Sequence, residues 1–187
     1  MKTIVLNALL LLSLVINAQN WVPNYSFDNY NQCPTTYNQV GYCQNWLPSP
    51  VNNVPTYHTE YLHACNTGMF SVPTSTWGAQ SSSTGQGYMA LCTMAPAVTV
   101  NYRENIYVPL VAPMTIGQMY YVSFKVSHTD NSQYATNNLG AKFSTVPYIS
   151  VNNFAHVNSS SQITDKLNWV TISVRRNSKP AWAISCL

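Results

Sequence analysis

Side chains that could catalyse hydrolysis are scarce in this chain. It contains five acidic residues, which are scattered along the sequence. Hydrolysis of a glycosidic bond needs two carboxyl groups facing each other across that bond, and no two of these residues stand out as a pair. Serine is abundant, but no Gly-x-Ser-x-Gly motif is present to form a nucleophile elbow. The sequence therefore predicts a protein that is not an enzyme.

Aromatic side chains are the second group with chemical potential, because they can bind ligands. The candidates among them lie in one long irregular stretch, and they are Trp46, Tyr57, Tyr61 and Trp77. Flat rings on an exposed surface stack on sugars and combine apolar burial with polar contacts at the rim. In a chain that is 12% aromatic, most rings instead fill the core or anchor loops. We select Trp77, which precedes Gly78, as the strongest candidate for ligand binding.

Histidine and cysteine give little support for a metal or redox site. On a helix, the spacing of His58 and His63 would place them on different faces. No Cys-x-x-Cys motif indicates a zinc knuckle or a redox pair. The five cysteines are Cys33, Cys43, Cys65, Cys92 and Cys186. An odd count leaves at least one thiol unpaired or bonded to another chain, and a Cys43–Cys92 pair is conceivable.

The N-terminus has the features of an export signal. Lys2 precedes the apolar run Ile4–Val15, which leads to a cleavage site ending in the small residue Ala18. The run is shorter than the roughly 20 residues of a membrane span. We therefore predict that residues 1–18 are a signal peptide, that the protein is exported, and that no transmembrane segment remains after cleavage.

The low charge of the chain argues against one class of partner. Charged residues make up 7% of the sequence, and the formal net charge is +3. Phosphate binding needs clustered Lys and Arg side chains, and no basic stripe is present. Nucleic acid is therefore not an expected partner.

The residues after the signal favour β-structure. Eleven prolines and seven glycines separate short runs of β-branched and aromatic residues, and helical periodicity is nearly absent. The predicted strands are Trp21–Phe27, Gly87–Met94, Tyr102–Leu110, Gln118–Ser127, Leu139–Ser144 and Trp169–Arg175. Val108-Pro109-Leu110 through Ile116-Gly117 is predicted to form a hairpin-like connection. The pattern predicts one antiparallel two-sheet sandwich over residues 19–174.

One strand shows its two faces clearly. In Gln118–Ser127, aromatic and aliphatic residues at alternate positions are predicted to face the core. These residues are Tyr120, Val122, Phe124 and Val126.

The C-terminal residues interrupt the strand pattern. Residues 175–187 begin with Arg175-Arg176 and contain Lys179-Pro180. This change in composition predicts an atypical tail, a truncated or frame-shifted end and a missing last strand, with a natural short tail as the alternative. A missing strand would leave a sheet edge exposed to pairing with another chain.

Several segments together resemble a family of exported Bacteroidetes domains. These domains stand at the N-termini of OmpA-like outer-membrane proteins and of surface proteins associated with gliding motility. The segments are Val22–Asp28, Cys33-Pro34, Asn45-Trp46, Pro55–Tyr57, Cys65, Val72-Pro73, Trp77-Gly78, Tyr102–Glu104, Val126-Ser127, Asp130–Ala135, Leu139–Ser144, and Asp165 with Trp169. The resemblance covers residues 20–174 and implies a galactose-binding-like jelly roll, the fold of many carbohydrate-binding modules.

The resemblance also implies roles for three residues. Asp28 matches an acidic residue that helps to bind structural calcium in carbohydrate-binding jelly rolls, and a simple turn cap is the alternative. Cys33 and Cys65 match family positions, so a disulfide between them is implied, with two buried thiols as the alternative. The peptidoglycan-binding function of OmpA-like proteins does not carry over, because nothing after Val174 resembles the domain that performs it.

We therefore expect a non-catalytic exported module for recognition or adhesion at the cell surface, with glycans as the candidate ligands. Its expected location is the periplasm, the outer membrane or the cell surface, and its expected partner is a glycan or another component of the cell envelope. A structural spacer of an OmpA-like outer-membrane protein, without a soluble ligand, is the first alternative. A carbohydrate-active enzyme is the second.

Overall fold

The computed structural model describes residues 19–48, 59–93, 104–145, 155–177 and 183–186. The predicted signal peptide, Tyr57 and His58 lie outside these ranges. The described residues form a short 3-10 helix, Val40–Tyr42, and eleven strands. The strands are β1 (Leu47–Pro48), β2 (Glu60–His63), β3 (Thr74–Ser75), β4 (Gly78–Ala79), β5 (Gly87–Ala90), β6 (Ile106–Pro109), β7 (Met119–Val126), β8 (Gly140–Ser144), β9 (Val157–Asn158), β10 (Val170–Asn177) and β11 (Ala183–Cys186). The described part of the chain contains no helix with the length and hydropathy that a membrane span requires.

The strands pair in antiparallel fashion and build a sandwich. One sheet has the order β1–β6–β11–β8–β9, and β7 pairs with β10 along the full length of both strands. Two smaller pairs, β2–β5 and β3–β4, complete the described sheets. Val108 and Ile184 of the larger sheet belong to the same buried cluster as Val126 and Ile172 of the β7–β10 pair. The prediction of an all-β antiparallel sandwich is confirmed.

Strand β7 has the two faces that the sequence predicts. Tyr121 is 65% exposed, whereas Val126 is 8% exposed and belongs to the core. Val122 and Phe124 pack against the same core. The alternation succeeds as a predictor here because β7 is long and has the core on one face.

The predicted strand Trp21–Phe27 is wrong, since these residues form turns and bends. Asn24 and Phe27 have positive φ angles of 48° and 60°, which are incompatible with a strand. The Asn24 side chain donates to the backbone oxygens of Asn29 and Gln44 at 2.8 and 2.9 Å. The Asn24 side chain therefore holds this segment to the backbone of two later residues, and no strand pairing is needed.

The predicted hairpin-like connection between β6 and β7 is also wrong. The two strands belong to different sheets, so the chain crosses from one sheet to the other between them. At the start of this crossing, the backbone N–H of Val111 donates to the oxygen of Trp21 at 3.0 Å. The backbone N–H of Val111 is thus paired with the N-terminal turn region and not with a neighbouring strand of a hairpin.

The C-terminal residues supply a central strand of the larger sheet. Strand β11 lies between β6 and β8, with Ile184 opposite both Val108 and Phe143. Strand β10 continues to Asn177 through two exposed arginines. The expectations of a missing last strand and of a tail outside the sandwich at residues 175–187 are therefore wrong. The change in composition did not indicate the end of the sandwich, because basic residues at exposed positions are compatible with a strand.

A disulfide joins Cys33 to Cys65, with a Cα–Cα distance of 6.0 Å. It links the N-terminal loop region to the residues directly after β2 and confirms the pairing that the resemblance implies. Cys43 is instead a buried thiol, 1% exposed. Its Sγ atom accepts a hydrogen bond from Asn24 Nδ2 at 3.2 Å, so the conceivable Cys43–Cys92 pair does not form.

The position of β11 makes Ile184 a sensitive probe of the sheet. Ile184 is 7% exposed, and truncating it to alanine leaves a cavity between two strands. We expect Ile184→Ala to lower the free energy of unfolding by about 2–4 kcal/mol in urea denaturation. Ile116→Ala is the matched control, because Ile116 is 71% exposed and its truncation removes little buried area. Equal stabilities of the two variants would contradict the position of β11.

The disulfide closes a loop with a sequence separation of 32. A crosslink over this length reduces the entropy of the unfolded chain, which corresponds to about 3–4 kcal/mol of stability. We expect the double variant Cys33→Ser, Cys65→Ser to lose an amount of that order in chemical denaturation. Adding a reductant should destabilise the unmodified protein and leave the double variant unchanged. An equal response of both proteins to the reductant would show that another bond is responsible.

Candidate functional site

The described residues enclose a groove of about 1370 Å³ beside the β3–β4 hairpin. Its aromatic lining comes from distant parts of the chain: Tyr37, Trp77, Tyr88, Tyr134 and Trp169. Residues with amide side chains also line it, and these are Asn38, Gln80, Asn131, Asn137, Asn138 and Asn158. A concave surface with aromatic walls and convergent polar groups is the usual form of a ligand site.

Trp77 reaches the groove because a tight hairpin is held against the loop after β7. Gly78 has a φ of +131°, and a Cβ at this position would lie 2.5 Å from Oδ2 of Asp130. The same Oδ2 accepts a hydrogen bond from the backbone N–H of Ala79 at 2.8 Å. Asn131 donates to the backbone oxygen of Thr76 at 2.7 Å. Glycine at position 78 is therefore required both by the backbone angle and by the close approach of the carboxylate.

The loop that holds this hairpin is itself anchored by a lysine. The Nζ atom of Lys166 donates to the backbone oxygens of Asp130 and Ser132 at 2.8 and 3.0 Å. These bonds satisfy two carbonyl groups that lie outside the strands, and they hold the ammonium group at the wall of the groove. Lys166 thus has a structural role at the site.

Three aromatic contacts fix the rings of the groove. Tyr37 and Trp77 both pack edge-on against Phe70, with ring centroids 5.2 and 5.6 Å apart. On the other side, Trp169 packs edge-on against Tyr88 at 5.6 Å. The indole Nε1 of Trp169 donates to the backbone oxygen of Ser81 at 2.8 Å. Rings held in this way lose little conformational freedom when a ligand binds.

Besides Asp130, two glutamates line the groove, Glu60 and Glu104. Glu60 is 9% exposed, and its Oε2 accepts from the backbone N–H of Asn38 at 2.9 Å. Oε2 of Glu104 accepts from the backbone N–H of Cys92 at 2.7 Å. Burial raises the pKa of Glu60 to about 7; the Asn38 N–H opposes this shift and the charge of Glu104 adds to it.

Of the three described aromatic residues that the sequence singles out, only Trp77 lines this groove. Trp46 is 4% exposed, packs against Phe27 at 4.8 Å and donates from Nε1 to the oxygen of Asn24. Tyr61 is fully buried, and its hydroxyl donates to the oxygen of Phe27 at 2.7 Å. Both rings are core residues, which corrects the expectation that they bind a ligand. Tyr57 lies outside the described residues.

Asp28 holds a turn. Its Oδ2 accepts from Ser26 Oγ at 2.8 Å, and its Oδ1 accepts from the backbone N–H of Gln86. Gly85, with a φ of +67°, leaves room for the carboxylate, which would clash with any Cβ there. Calcium needs several oxygen ligands, and no group of three His, Cys, Asp or Glu side chains converges among the described residues. The calcium assignment of Asp28 stays a prediction from sequence.

His63 lies in the core next to this turn. Its Nδ1 accepts from the backbone N–H of Cys65 at 3.0 Å, and its ring packs against Tyr30 at 4.7 Å. Burial lowers the pKa of His63, while the carboxylate and backbone of Asp28 act in the opposite direction. The neutral ring is therefore favoured, and it serves to pack the core beside the disulfide.

Sequence reasoning missed Tyr37, Tyr88 and Trp169 as groove residues, and Glu60 as a partner of Glu104. The signals were weak, since Tyr88 and Trp169 stand at the ends of predicted strands and Tyr37 stands in a loop. Tertiary contacts bring them together: Tyr88 lies on β5, which pairs with β2, and Trp169 contacts Tyr88 from the residue before β10.

No known family model, curated protein or solved structure matches this chain. The resemblance to exported Bacteroidetes domains therefore stays an expectation from the sequence motifs. The groove and its side chains are the basis on which a function can be argued.

The raised pKa of Glu60 has a consequence for stability. The carboxyl group binds its proton more tightly in the folded state, so its favourable contribution is complete below about pH 4.5 and lost as the pH rises to about 7. Glu60→Gln keeps an acceptor for Asn38 but cannot ionise. We expect this variant to match the unmodified protein near pH 4.5 and to be more stable by roughly 1–3 kcal/mol at pH 8 in urea denaturation.

Asp165→Asn is the control for this measurement. Hydrogen bonds from Asn168 and Leu167 lower the pKa of Asp165, so its ionised form is favoured in the folded state. This control should not gain stability at pH 8. A gain for Glu60→Gln of the same size at both pH values would show that ionisation is not the cause.

Proposed function

We propose that this chain is a non-catalytic, exported recognition module that binds glycans in the groove around Trp77. The observation that carries the proposal is that Trp77 and Trp169 line one groove, each fixed by an aromatic neighbour. Sugar rings present apolar C–H faces and polar edges, which suit aromatic walls with amide groups beside them. The amide side chains of Asn131 and Asn158 provide such groups on the same surface.

Other features support an exported location for this activity. A disulfide between Cys33 and Cys65 persists in oxidising compartments and is uncommon in the cytosol. The signal-like N-terminus and the resemblance to envelope proteins of Bacteroidetes point to the periplasm, the outer membrane or the cell surface. The galactose-binding-like jelly roll and the association with OmpA-like proteins belong to the same proposal.

A carbohydrate-active enzyme is the second candidate, and one observation favours it. Glu60 and Glu104 line the same groove, and burial together with the charge of Glu104 raises the pKa of Glu60. A protonated carboxyl beside an ionised one is the pair that glycoside hydrolysis requires. Release of reducing ends from a bound polysaccharide, lost in both Glu60→Gln and Glu104→Gln, would favour the enzyme over the non-catalytic module.

Binding can be tested by titration calorimetry with soluble neutral polysaccharides, such as xylan, mixed-linkage glucan and galactan, and with peptidoglycan fragments. We expect binding to at least one of them and a loss of about tenfold in affinity for Trp77→Ala, because one stacking contact disappears. Tyr121→Ala is the matched control, since this ring is 65% exposed and lies on β7 outside the groove lining.

Two results would contradict the proposal. Absence of binding across this panel and a broad glycan array would favour a structural spacer without a soluble ligand. Equal losses for Trp77→Ala and Tyr121→Ala would show that the glycan binds elsewhere.

A further inference from the structure

The loop from Pro34 to Val40 closes over Glu60 and carries one ring of the groove. Oε1 of Gln39 accepts from the backbone N–H groups of Thr35 and Thr36 at 2.6 and 3.0 Å, which holds the loop in a compact turn. Asn38, with a φ of +64°, directs its backbone N–H to Oε2 of Glu60. The hydrogen bond thus ties an exposed loop to a buried side chain of β2.

Tyr37 connects this bond to the groove. It directly precedes Asn38, lines the groove, and has ring contacts with Phe70 at 5.2 Å and Trp77 at 6.1 Å. A movement of the loop away from Glu60 would withdraw Tyr37 and remove one neighbour of Trp77. The protonation state of Glu60 can therefore affect the positions of Tyr37 and Trp77 in the groove.

We propose that Glu60 is a pH-sensitive latch, which holds the Tyr37 loop closed while its carboxyl group is protonated and releases the loop when the group ionises. As a regulator of ligand binding, the latch rests on the glycan-binding function proposed above. As a property of the loop, it can be tested without any ligand.

The surroundings of Glu60 explain why ionisation opposes the closed loop. Among the described residues, the other titratable or charged groups that line the same groove are Tyr37, Tyr88, Cys92, Glu104, Lys125, His128, Asp130, Tyr134 and Lys166. Desolvation by burial is the largest effect that disfavours the Glu60 carboxylate, the hydrogen bond from Asn38 opposes it, and the negative charge of Glu104 adds to it. The cation of Lys166 is bound to the backbone oxygens of Asp130 and Ser132.

The direction of the effect follows from proton linkage. With the loop closed, the pKa of Glu60 is about 7, and in water it would be near the ordinary value of 4.5. The open state, in which water reaches the carboxylate, therefore gains population as the pH rises between these values and levels off above about pH 7. The gain approaches tenfold per pH unit within this window.

Hydrogen exchange at the backbone amide of Asn38 measures this opening directly. We expect its protection factor, corrected for the intrinsic exchange rate at each pH, to fall by nearly tenfold per unit between about pH 5 and pH 7. In Glu60→Gln the protection should stay constant, because the amide side chain still accepts the bond and does not titrate. In Glu104→Gln the fall should end at a lower pH, since the repelling charge is gone.

Three results would overturn the latch. These are a constant protection factor in the unmodified protein, a fall of equal size in Glu60→Gln, and an unchanged end point in Glu104→Gln. None of them bears on whether xylan, glucan or galactan binds, so the latch and the glycan-binding proposal fail separately. If a polysaccharide from that panel binds, its affinity should be higher at pH 5 than at pH 8 in the unmodified protein and equal at both in Glu60→Gln.

Discussion

Pairing of backbone N–H groups in irregular segments is the constraint on which this structure depends. Much of the described chain lies in loops, whose amides have no strand partners and are costly to leave unpaired when buried. The chain has five acidic residues, and each of them accepts a hydrogen bond from a backbone N–H. These residues are Asp28, Glu60, Glu104, Asp130 and Asp165. The few negative charges are thus fixed points for the loops, and the neutral polar residues provide the solvated surface.

This use of carboxylates explains what the sequence could predict. Strand β7 is recognisable because alternate residues differ in polarity, and Tyr121 and Val126 lie on the expected faces. Loop geometry depends on partners that are distant in the chain, as in the bonds from Gln86 to Asp28 and from Ala79 to Asp130. No local pattern encodes such pairings. The all-β class therefore followed from composition, whereas the paths of the loops did not.

The candidate site shows the same limit for aromatic residues. Trp46 and Trp77 both stand in irregular segments, yet one is buried against Phe27 and the other lines a groove. The difference arises from tertiary contacts: Asn24 offers a buried carbonyl to the Trp46 indole, while Asp130 and Asn131 hold the Trp77 hairpin at the groove. Strand β11 escaped recognition for a related reason. Its four residues are too few to show a periodicity, and its place in the sheet comes from β6 and β8.

Burial decides what a carboxylate does when it holds a loop. Asp165 and Glu60 both accept hydrogen bonds from backbone amides, which favour the ionised form. Asp165 keeps its water, so these bonds lower its pKa. Glu60 is nearly excluded from solvent and lies near a second carboxylate, so desolvation outweighs the single bond from Asn38 and the pKa rises. Ionisation at neutral pH therefore favours the loop that Asp165 holds and disfavours the loop that Glu60 holds. Glu60 lines the groove and Asp165 does not. The proposed pH response therefore affects the side of the groove that carries Tyr37 and Trp77.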